Sequence, residues 1–550
     1  MKISLLSNIN IDLLAKKLRR DYEVYKPEGY GVWVQEMLNK NSGLNNYNPD
    51  IVFILLDGDE LINKDLDIVY IRKEIDTNIG YIENYIKNNI KTHVFVNNLD
   101  LSINKVQSIK DIRVERIIQS YWYEKLWDLN NKYGNFYIFD IKTLIESIGR
   151  NEFYSKKLWY LGGIKFSSKG DKLIKKEIDR CVGAFKGQRK KCLILDLDNT
   201  LWGGIIGEDG MDRIILSEHK EGARYKDFQK RLKEIKNTGV ILAVVSKNNY
   251  DDALEVFKNH KHMILNEEDF VLMKINWKSK AENIREIAEE LNIGLDSLVF
   301  IDDNPVERES IKSQIPEVVV PEFPDDTAEL EKFIIDIYND YFLSIKATEE
   351  DKKKTNMYKQ NFNREKEMKS TASFEEFLKN LNTKIKIWKA KEDDIERAAQ
   401  LTQKTNQFNL TTKRYLESDI DRFISSDKYD VYIASIEDKF GDNGKVSLII
   451  IEKNDDKTVK IDTFLMSCRV MGRFIEEQII DFIEDKYKRK GYEKIISYYY
   501  PTRKNKPVET LFEDLGYILV DKDKYGNKSY ELLLDKINNE RKKYGELMEL

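Results

Sequence analysis

Apolar residues in this chain fall into short runs separated by longer stretches in which they recur every three or four positions. Short runs bounded by turn residues read as buried strands, and the longer period reads as amphipathic helix. Over residues 1 to about 150, strand runs at Ile3–Leu6, Ile51–Leu56, His93–Val96 and Phe136–Phe139 alternate with helical patterns. That rhythm predicts a parallel sheet with helices on its faces. A linker with a basic helix, around Asp171–Lys191, leads into a second alternating region. Its strands are expected at Cys192–Leu195, Val240–Val245, Phe270–Lys274 and Leu298–Ile301, with helices around Tyr225–Asn237, Tyr250–His260 and Lys280–Leu291.

Beyond residue 345 the pattern changes. The stretch from Glu349 to Glu376 is densely charged and lacks a strand signal, which predicts a solvated helical connector. A third region then shows strands at Lys384–Trp388, Val431–Ile436, Val446–Glu452 and Val459–Met466, a helix at Phe474–Arg489 and a strand at Lys494–Tyr499. The expected domains are therefore 1–185, 186–345 and 383–550, with a linker over 346–382. The fold class is α/β, closing on an α+β domain.

Composition narrows the function classes. A net charge of -5 argues against a nucleic-acid protein, because phosphate binding requires a clustered basic surface. The runs at Lys172–Lys176, Lys352–Lys354 and Arg541–Lys543 are mixed with acids and read as solvated faces. Three cysteines, Cys181, Cys192 and Cys468, form no C-x-x-C pair and fit no disulfide framework, as expected in a reducing cytoplasm. No apolar run approaches the ~20 residues of a membrane span, and the opening residues lack a signal-peptide pattern. The four histidines all precede residue 263, so a histidine-based triad or zinc site is not expected in the C-terminal half.

The candidate chemistry sits at strand ends. The run Cys192–Leu195 leads directly into Asp196, Asp198 and Thr200. Two carboxylates one residue apart suit a nucleophile beside an acid/base. The run Val240–Val245 ends in Ser246, whose hydroxyl can hydrogen-bond a phosphoryl oxygen. Asn276-Trp277-Lys278-Ser279-Lys280 supplies an ammonium at a helix start, able to offset charge on a transferring phosphoryl group. Leu298–Ile301 ends in Asp302-Asp303-Asn304-Pro305, hard oxygen ligands that with Asp196 suit Mg²⁺. Any one of these groups could be an ordinary turn or helix-cap residue. Four in this order point to phosphoryl transfer.

This order and spacing resemble the haloacid dehalogenase (HAD) superfamily. The resemblance implies a Rossmann-like domain with Asp196 as nucleophile and Asp198 as general acid/base. Ser246 and Lys280 would contact the phosphoryl group, with Lys278 as the competing lysine. Asp196, the main-chain carbonyl of Asp198 and Asp303 would hold Mg²⁺, with Asp302 in support. The gaps before Ser246 and before Lys280 leave room only for a minimal cap, which implies an open site. D-L-D-N-T-L-W-G-G at 196–204, N-W-x-x-K-x-x-N at 276–283 and I-D-D-N-P-V-E at 301–307 resemble the FkbH-like, HAD subfamily IIIC proteins. So do T-Q-K-T-N-Q-F-N-L at 402–410, F-G-D-N-G at 440–444 and S-C-R-V-M-G-R at 467–473. Leu5-Leu6-Ser7-Asn8, Val34–Leu38 and Leu56-Asp57-Gly58 look like that family's N-terminal part.

The resemblance implies an enzyme that takes a glyceryl unit from 1,3-bisphosphoglycerate, removes phosphate and delivers the acyl group as a thioester to an acyl carrier protein. The setting would be polyketide or surface-polysaccharide tailoring. It implies a C-terminal domain similar to GNAT acyltransferases, with Arg469, Gly472 and Arg473 in a loop that would hold a phosphopantetheine arm. Phe474 stands where that loop carries its last glycine, which disfavours an N-acyltransferase gripping coenzyme A. Cys468 would carry the acyl group as a thioester; otherwise it is a core cysteine, as are Cys181 and Cys192. The N-terminal domain resembles a degenerate SGNH hydrolase. Ser7 sits where a nucleophile would, without G-D-S or D-x-x-H, and His93 alone supplies no triad, so a structural or docking role is expected. His219 could line the open site, whereas His260 and His262 end a helix. The alternatives are a stand-alone phosphatase and a non-catalytic carrier-docking scaffold.

Overall fold

The structure is a computed structural model that describes residues 1–29, 31–62, 67–102, 108–110, 114–187, 189–346, 353–454, 456–537 and 541–550. The chain divides into two compact units, one of Met1–Cys181 with Leu416–Asp419, the other of Val182–Tyr415 with Ile420–Leu550.

The first unit is built on five parallel strands, β1 (Lys2–Ser7), β2 (Glu23–Tyr25), β3 (Ile51–Leu55), β4 (His93–Asn97) and β5 (Phe136–Phe139), in the order β2-β1-β3-β4-β5. Strands β1, β3 and β4 are apolar along nearly their whole length because helices cover both faces of a parallel sheet. Helix α1 (Val114–Lys132) buries Ile118, Trp122, Leu126 and Leu129 at helical spacing. Helix α2 (Ile141–Ile148) follows β5, capped by Asp140. Strand β2 has only three residues, one exposed and two half-buried, and left no apolar run to find.

The second unit holds two sheets. Strands β6 (Cys192–Leu195), β7 (Ile241–Ser246), β8 (Phe270–Ile275) and β9 (Leu298–Ile301) run parallel in the order β8-β7-β6-β9. The direction of winding reverses between β6 and β9, so a crevice opens outside their carboxyl ends. Helix α3 (Lys220–Asn237) packs Phe228, Leu232 and Ile235 into one face of this sheet. Helix α4 (Lys280–Glu290) packs Ile284 and Ile287 into the other.

The connector differs from expectation. Residues 347–352, which include its first positions and Lys352 of the basic run, lie outside the described residues. The rest forms helix α5 (Lys354–Ser370), one side of which is buried rather than solvated. Tyr358 joins the core of the β6–β9 sheet beside Cys192, and Arg364 reaches Asp438 of the sheet that follows. Dense charge along the sequence concealed an apolar-and-arginine stripe.

The third sheet comprises β10 (Thr383–Lys389), β11 (Phe408–Asn409), β12 (Tyr429–Asp438), β13 (Gly441–Lys453), β14 (Thr458–Met466), β15 (Lys494–Tyr499), β16 (Ile518–Lys522), β17 (Lys528–Leu533) and β18 (Gly545–Glu549). Its order is β16-β17-β15-β14-β13-β12-β10-β18. Strand β14 pairs with β15 in parallel over only three positions, Thr458 to Lys460, and then carries β11 on the same edge at Leu465 and Met466. Helix α6 (Ile475–Arg489) covers the core with Ile479, Ile480, Phe482 and Ile483. Arg541 is a second correction. Its guanidinium lies against Asp481 at 2.5 Å and Glu484 at 3.0 Å with a largely buried side chain, so the run Arg541–Lys543 is not a solvated face at its first residue. No described helix is long and apolar enough to cross a membrane.

Candidate active site

Strand β6 delivers Asp196 to the crevice between β6 and β9, and the next turn delivers Asp198. That turn needs Asn199 in the left-handed region, at φ 52°, and the Asn199 Oδ1 accepts from Gly204 N–H at 2.8 Å. Small polar residues such as Asn tolerate this backbone, which is why a sharp reversal is possible here. The carboxylate of Asp198 is held on three sides. Its Oδ1 accepts from Trp202 Nε1 at 3.0 Å and from Ile206 N–H at 3.1 Å, and its Oδ2 accepts from Asn248 Nδ2 at 3.0 Å. Burial pushes the Asp198 pKa up and the Asp196 charge adds to it, against these hydrogen bonds, so the net direction is upward.

Lys280 opens α4 with its side chain buried. Its Nζ lies 2.8 Å from Asp196 Oδ2 and 2.5 Å from Asp302 Oδ2. Burial opposes its charge, but the two carboxylates outweigh burial and hold the ammonium above its usual range. Lys278 points elsewhere, to Glu286 at 2.8 Å on the exposed side of the helix. Asp302 and Asp303 end β9. Their main-chain carbonyls accept from Arg308 Nη1 at 3.0 and 2.6 Å, which fixes the turn that aims them. Burial, followed by the charges of Asp196 and Asp302, pushes Asp303 up to about 6. Asp302 is likewise raised, by burial first.

Carboxylate oxygens of Asp196, Asp302 and Asp303 lie within 4.8 Å of one another. Asp196 Oδ1 is buried and has no hydrogen-bond partner among the described residues. Four carboxylates, counting Asp198, thus crowd one ammonium, and one oxygen is left for a further positive centre. Hard oxygen donors converging in this way fit Mg²⁺.

An open cavity of about 460 Å³ lies over these groups, lined among others by Asn199, Ser246, Asn248, Trp277, Asn304 and Glu307. Ser246 Oγ accepts from Asn248 Nδ2 at 3.2 Å. Trp277 stands 71% exposed at the rim, its Nε1 donating to Asn249 Oδ1 at 3.2 Å. His219 is not among the lining residues. Sequence reasoning missed Asn248, Trp202 and Arg308. The tract Lys247-Asn248-Asn249 after a buried strand was the available signal for the first. Trp202 lay within the quoted motif at 196–204 without a role assigned to it, and nothing local marked Arg308.

Cys468 is half-buried at the end of β14, on a cavity of about 70 Å³ shared with Lys191 of the β6 entrance, Tyr358 of α5, Gln407 and Arg469. The fully buried Tyr358 hydroxyl is within hydrogen-bonding reach of the thiol. The loop that follows is enclosed by the chain itself. Arg469 Nε donates to Ser467 Oγ at 3.1 Å, and its Nη1 abuts Met357 Sδ of α5. Arg473 donates to Asn361 Oδ1 at 2.7 Å, to Arg469 O at 2.7 Å and to Asp438 Oδ2 at 3.2 Å. Gly472 has φ +73° and Phe474 φ 59°, so this loop turns through the left-handed region twice, once at a phenylalanine. The Glu476 carboxylate lies close to the amides of Gly472, Ile475 and Glu476, and burial raises its pKa against those amides. These amides therefore face an acidic side chain of the same chain.

In the first unit, Ser7 Oγ donates to Leu55 O at 2.6 Å and accepts from Ile9 N–H at 3.2 Å. His93 is buried beside Tyr137, with burial lowering its pKa to about 3. Neither geometry resembles a nucleophile–base pair. Cys181 and Cys192 are pushed far up by burial, as core thiols are.

No protein-family model matches the chain, and no curated protein matches it. Among solved structures, the N-terminal part of the protein BF1531 from Bacteroides fragilis, described as containing a phosphatase domain complexed with Mg, is similar at 28% identity and TM-score 0.57. The match spans 63% of this chain and 94% of that one. A domain from Methanocaldococcus jannaschii matches 28% of this chain and 99% of its own length at 17% identity and TM-score 0.24. The ribosomal-protein-S18-alanine N-acetyltransferase of Escherichia coli matches 29% of this chain and 99% of its own at 10% identity and TM-score 0.22.

Proposed function

We propose that this chain is a Mg²⁺-dependent phosphatase of the FkbH-like type that also transfers an acyl group. The observation that carries the reading is Lys280 clamped between Asp196 and Asp302, with Asp196 Oδ1 left unpartnered beside Asp303. The likeness to a Mg-complexed phosphatase domain supports it. Asp196, Asp303 and the main-chain carbonyl of Asp198, with Asp302 behind them, would hold Mg²⁺, which when bound offsets negative charge on the transferring phosphoryl group.

The chain's own residues divide the work. The Asp196 carboxylate attacks phosphorus and forms an aspartyl-phosphate as the bond to the leaving oxygen breaks. Asp198, tied by Trp202, Ile206 and Asn248 and favoured in its protonated form by burial, gives its proton to that oxygen. Asp198 then takes a proton from water as the water attacks the aspartyl-phosphate, releasing inorganic phosphate and restoring Asp196. Ser246 and Lys280 orient and neutralise the phosphoryl oxygens. The cavity is open, with Trp277 exposed at its rim, which leaves room for a substrate tethered to a larger body.

In this reading the substrate is a phosphoglyceryl compound such as 1,3-bisphosphoglycerate. The Cys468 thiolate takes the acyl group from the acyl phosphate, displacing phosphate, and an acyl carrier protein's phosphopantetheine thiol accepts it. A small cavity at Cys468 suits a short acyl group. A second reading, a plain phosphatase whose C-terminal half recognises substrate, is favoured by the enclosure of Arg469 and Arg473 under α5 and the placement of Glu476 at the loop amides.

Intact mass separates the two. The protein is incubated with enzymatically generated 1,3-bisphosphoglycerate and Mg²⁺, with and without a phosphopantetheinylated carrier, beside Cys468→Ala and Asp196→Asn. A glyceryl or phosphoglyceryl adduct that needs Cys468 and moves to the carrier is expected, with phosphate retained on the Asp196→Asn adduct. Phosphate release that needs Asp196, with no adduct in any sample, establishes the plain phosphatase instead.

A further inference from the structure

The five-stranded sheet of the first unit lacks a catalytic set among its described residues, yet its carboxyl edge is built as a ligand crevice. A cavity of about 1220 Å³ opens where β3, β4 and β5 end, with Asp59, Asp100 and Lys142 following those strands on its wall. Crevices at this edge are where open α/β sheets bind ligands. The space exceeds that of a bare ion and is ample for a ligand of metabolite size, whose pockets run to roughly 300–1,000 Å³.

The charges inside it are unevenly matched. Asp100 is paired with Arg150 and accepts from Tyr154 Oη at 2.9 Å. Lys165 bridges Asp57 and Asp59, the latter at 3.0 Å. Arg116 and Lys142 are different. Arg116 Nη1 lies 3.3 Å and Lys142 Nζ 3.4 Å from the same acceptor, the neutral Oε1 of buried Gln119. Neither makes an ion pair with a described residue. Arg116 is in the first turn of α1 and Lys142 in the first turn of α2, so both helices also turn their positive ends toward this corner. Two cations drawn to one neutral oxygen at two helix starts repel each other, and an anion between them relieves that repulsion. The exposed carboxylates of Glu60 and Glu146 stand at the rim. Tyr154, Trp159 and Tyr160 bring aromatic rings to the same cavity. The cations of Arg150 and Lys165 lie 5.4 and 5.3 Å from the Tyr154 ring centroid.

We propose that this crevice binds an organic phosphate monoester, its phosphate between Arg116 and Lys142 and its organic portion against Tyr154 and Trp159. Guanidinium and ammonium donors meet phosphate oxygens with charge-assisted hydrogen bonds, and the aromatic wall rewards an organic body that inorganic phosphate lacks. The inference does not depend on the function assigned to Asp196.

The test is calorimetric titration of the full chain carrying Asp196→Asn, in chelator, with three probes: inorganic phosphate, adenosine 5′-monophosphate and 4′-phosphopantetheine. The same titrations are run on the chain that also carries Arg116→Gln and Lys142→Gln, with circular dichroism showing that it remains folded. At least one organic phosphate is expected to bind ten-fold or more tightly than inorganic phosphate, and to lose ten-fold or more in the double variant. Which of the two binds identifies the organic body, a nucleoside or a pantetheine. Three results overturn the proposal: no saturable binding of any probe, equal binding to both proteins, or binding of inorganic phosphate as tight as that of either organic probe. If Gln at both positions unfolds the unit, Trp159→Ala replaces it, and undiminished affinity for the organic probe then has the same force.

Discussion

Lys280 Nζ lies 2.8 Å from Asp196 Oδ2 and leaves Asp196 Oδ1 without a partner among the described residues, so one carboxylate presents a neutralised oxygen and a bare one to the same crevice. The ammonium also keeps Asp196 and Asp302 from facing each other uncompensated. Replacing Lys280 with Met is expected to lower kcat for phosphate release by about 10²-fold or more, the scale of losing one preorganised charge at a developing anion. Lys278→Met, on the exposed side of the same helix, is expected to stay within about two-fold, because a surface pair contributes little. Malachite-green assays of the two variants side by side check this.

Mg²⁺ should bind the folded chain and not the unfolded one. Adding it at ~100 times its dissociation constant is expected to stabilise the second unit by about 2.7 kcal/mol. Asp303→Asn should abolish most of that gain while leaving the metal-free protein folded, since it removes one carboxylate from a crowded set. Thermal unfolding with and without chelator reads both effects.

Arg364 and Asp438 form a two-point ion pair, Nε to Oδ2 at 2.6 Å and Nη2 to Oδ1 at 2.7 Å, with both side chains almost wholly buried. Removing one partner strands the other charge in the interior. Asp438→Ala is therefore expected to cost about 3–5 kcal/mol and to take the carboxylate partner from both Arg364 and Arg473. Urea unfolding measures the loss, and faster proteolysis within Lys354–Ser370 would show that α5 has been released.

His93 sets a pH dependence for the first unit. Burial lowers its pKa to about 3, whereas an unfolded histidine titrates near ~6.5. A depressed folded pKa means that the unfolded state binds the proton first. Its contribution is therefore fully present above ~6.5 and falls as pH drops from there toward about 3, by about 1.4 kcal/mol per pH unit. The wild-type chain should lose stability between pH 7 and pH 5 more steeply than His93→Gln. Parallel slopes for the two proteins would show that His93 does not titrate on unfolding.

Much of the architecture was legible because local pattern and tertiary role coincide in parallel sheets. Strands β6 and β9 fall where their apolar runs predict, Cys192–Leu195 and Leu298–Ile301, since strands buried on both faces must be apolar throughout. Strands β16 and β18 were missed. Every residue of β16 is exposed at a sheet edge, and β18 reads Gly-Glu-Leu-Met-Glu, an unremarkable pentapeptide until β10 pairs with it. Helix α5 was read as solvated because charge dominates its composition, while Tyr358 and Arg364 decide where it lies.

The order Asp196, Asp198, Ser246, Lys280, Asp302, Asp303 was determined by the sequence alone, because strand-end residues of a doubly wound sheet converge whatever the loops between them do. Which lysine reaches the carboxylates, which oxygen of Asp196 is left bare and which amide holds Asp198 were decided only by the tertiary structure. Those are matters of side-chain direction across residues far apart in the chain, and residue spacing carries no information about direction. The same holds for Arg469 and Arg473. The motif placed them in a loop, and the packing of α5 over that loop supplied their partners.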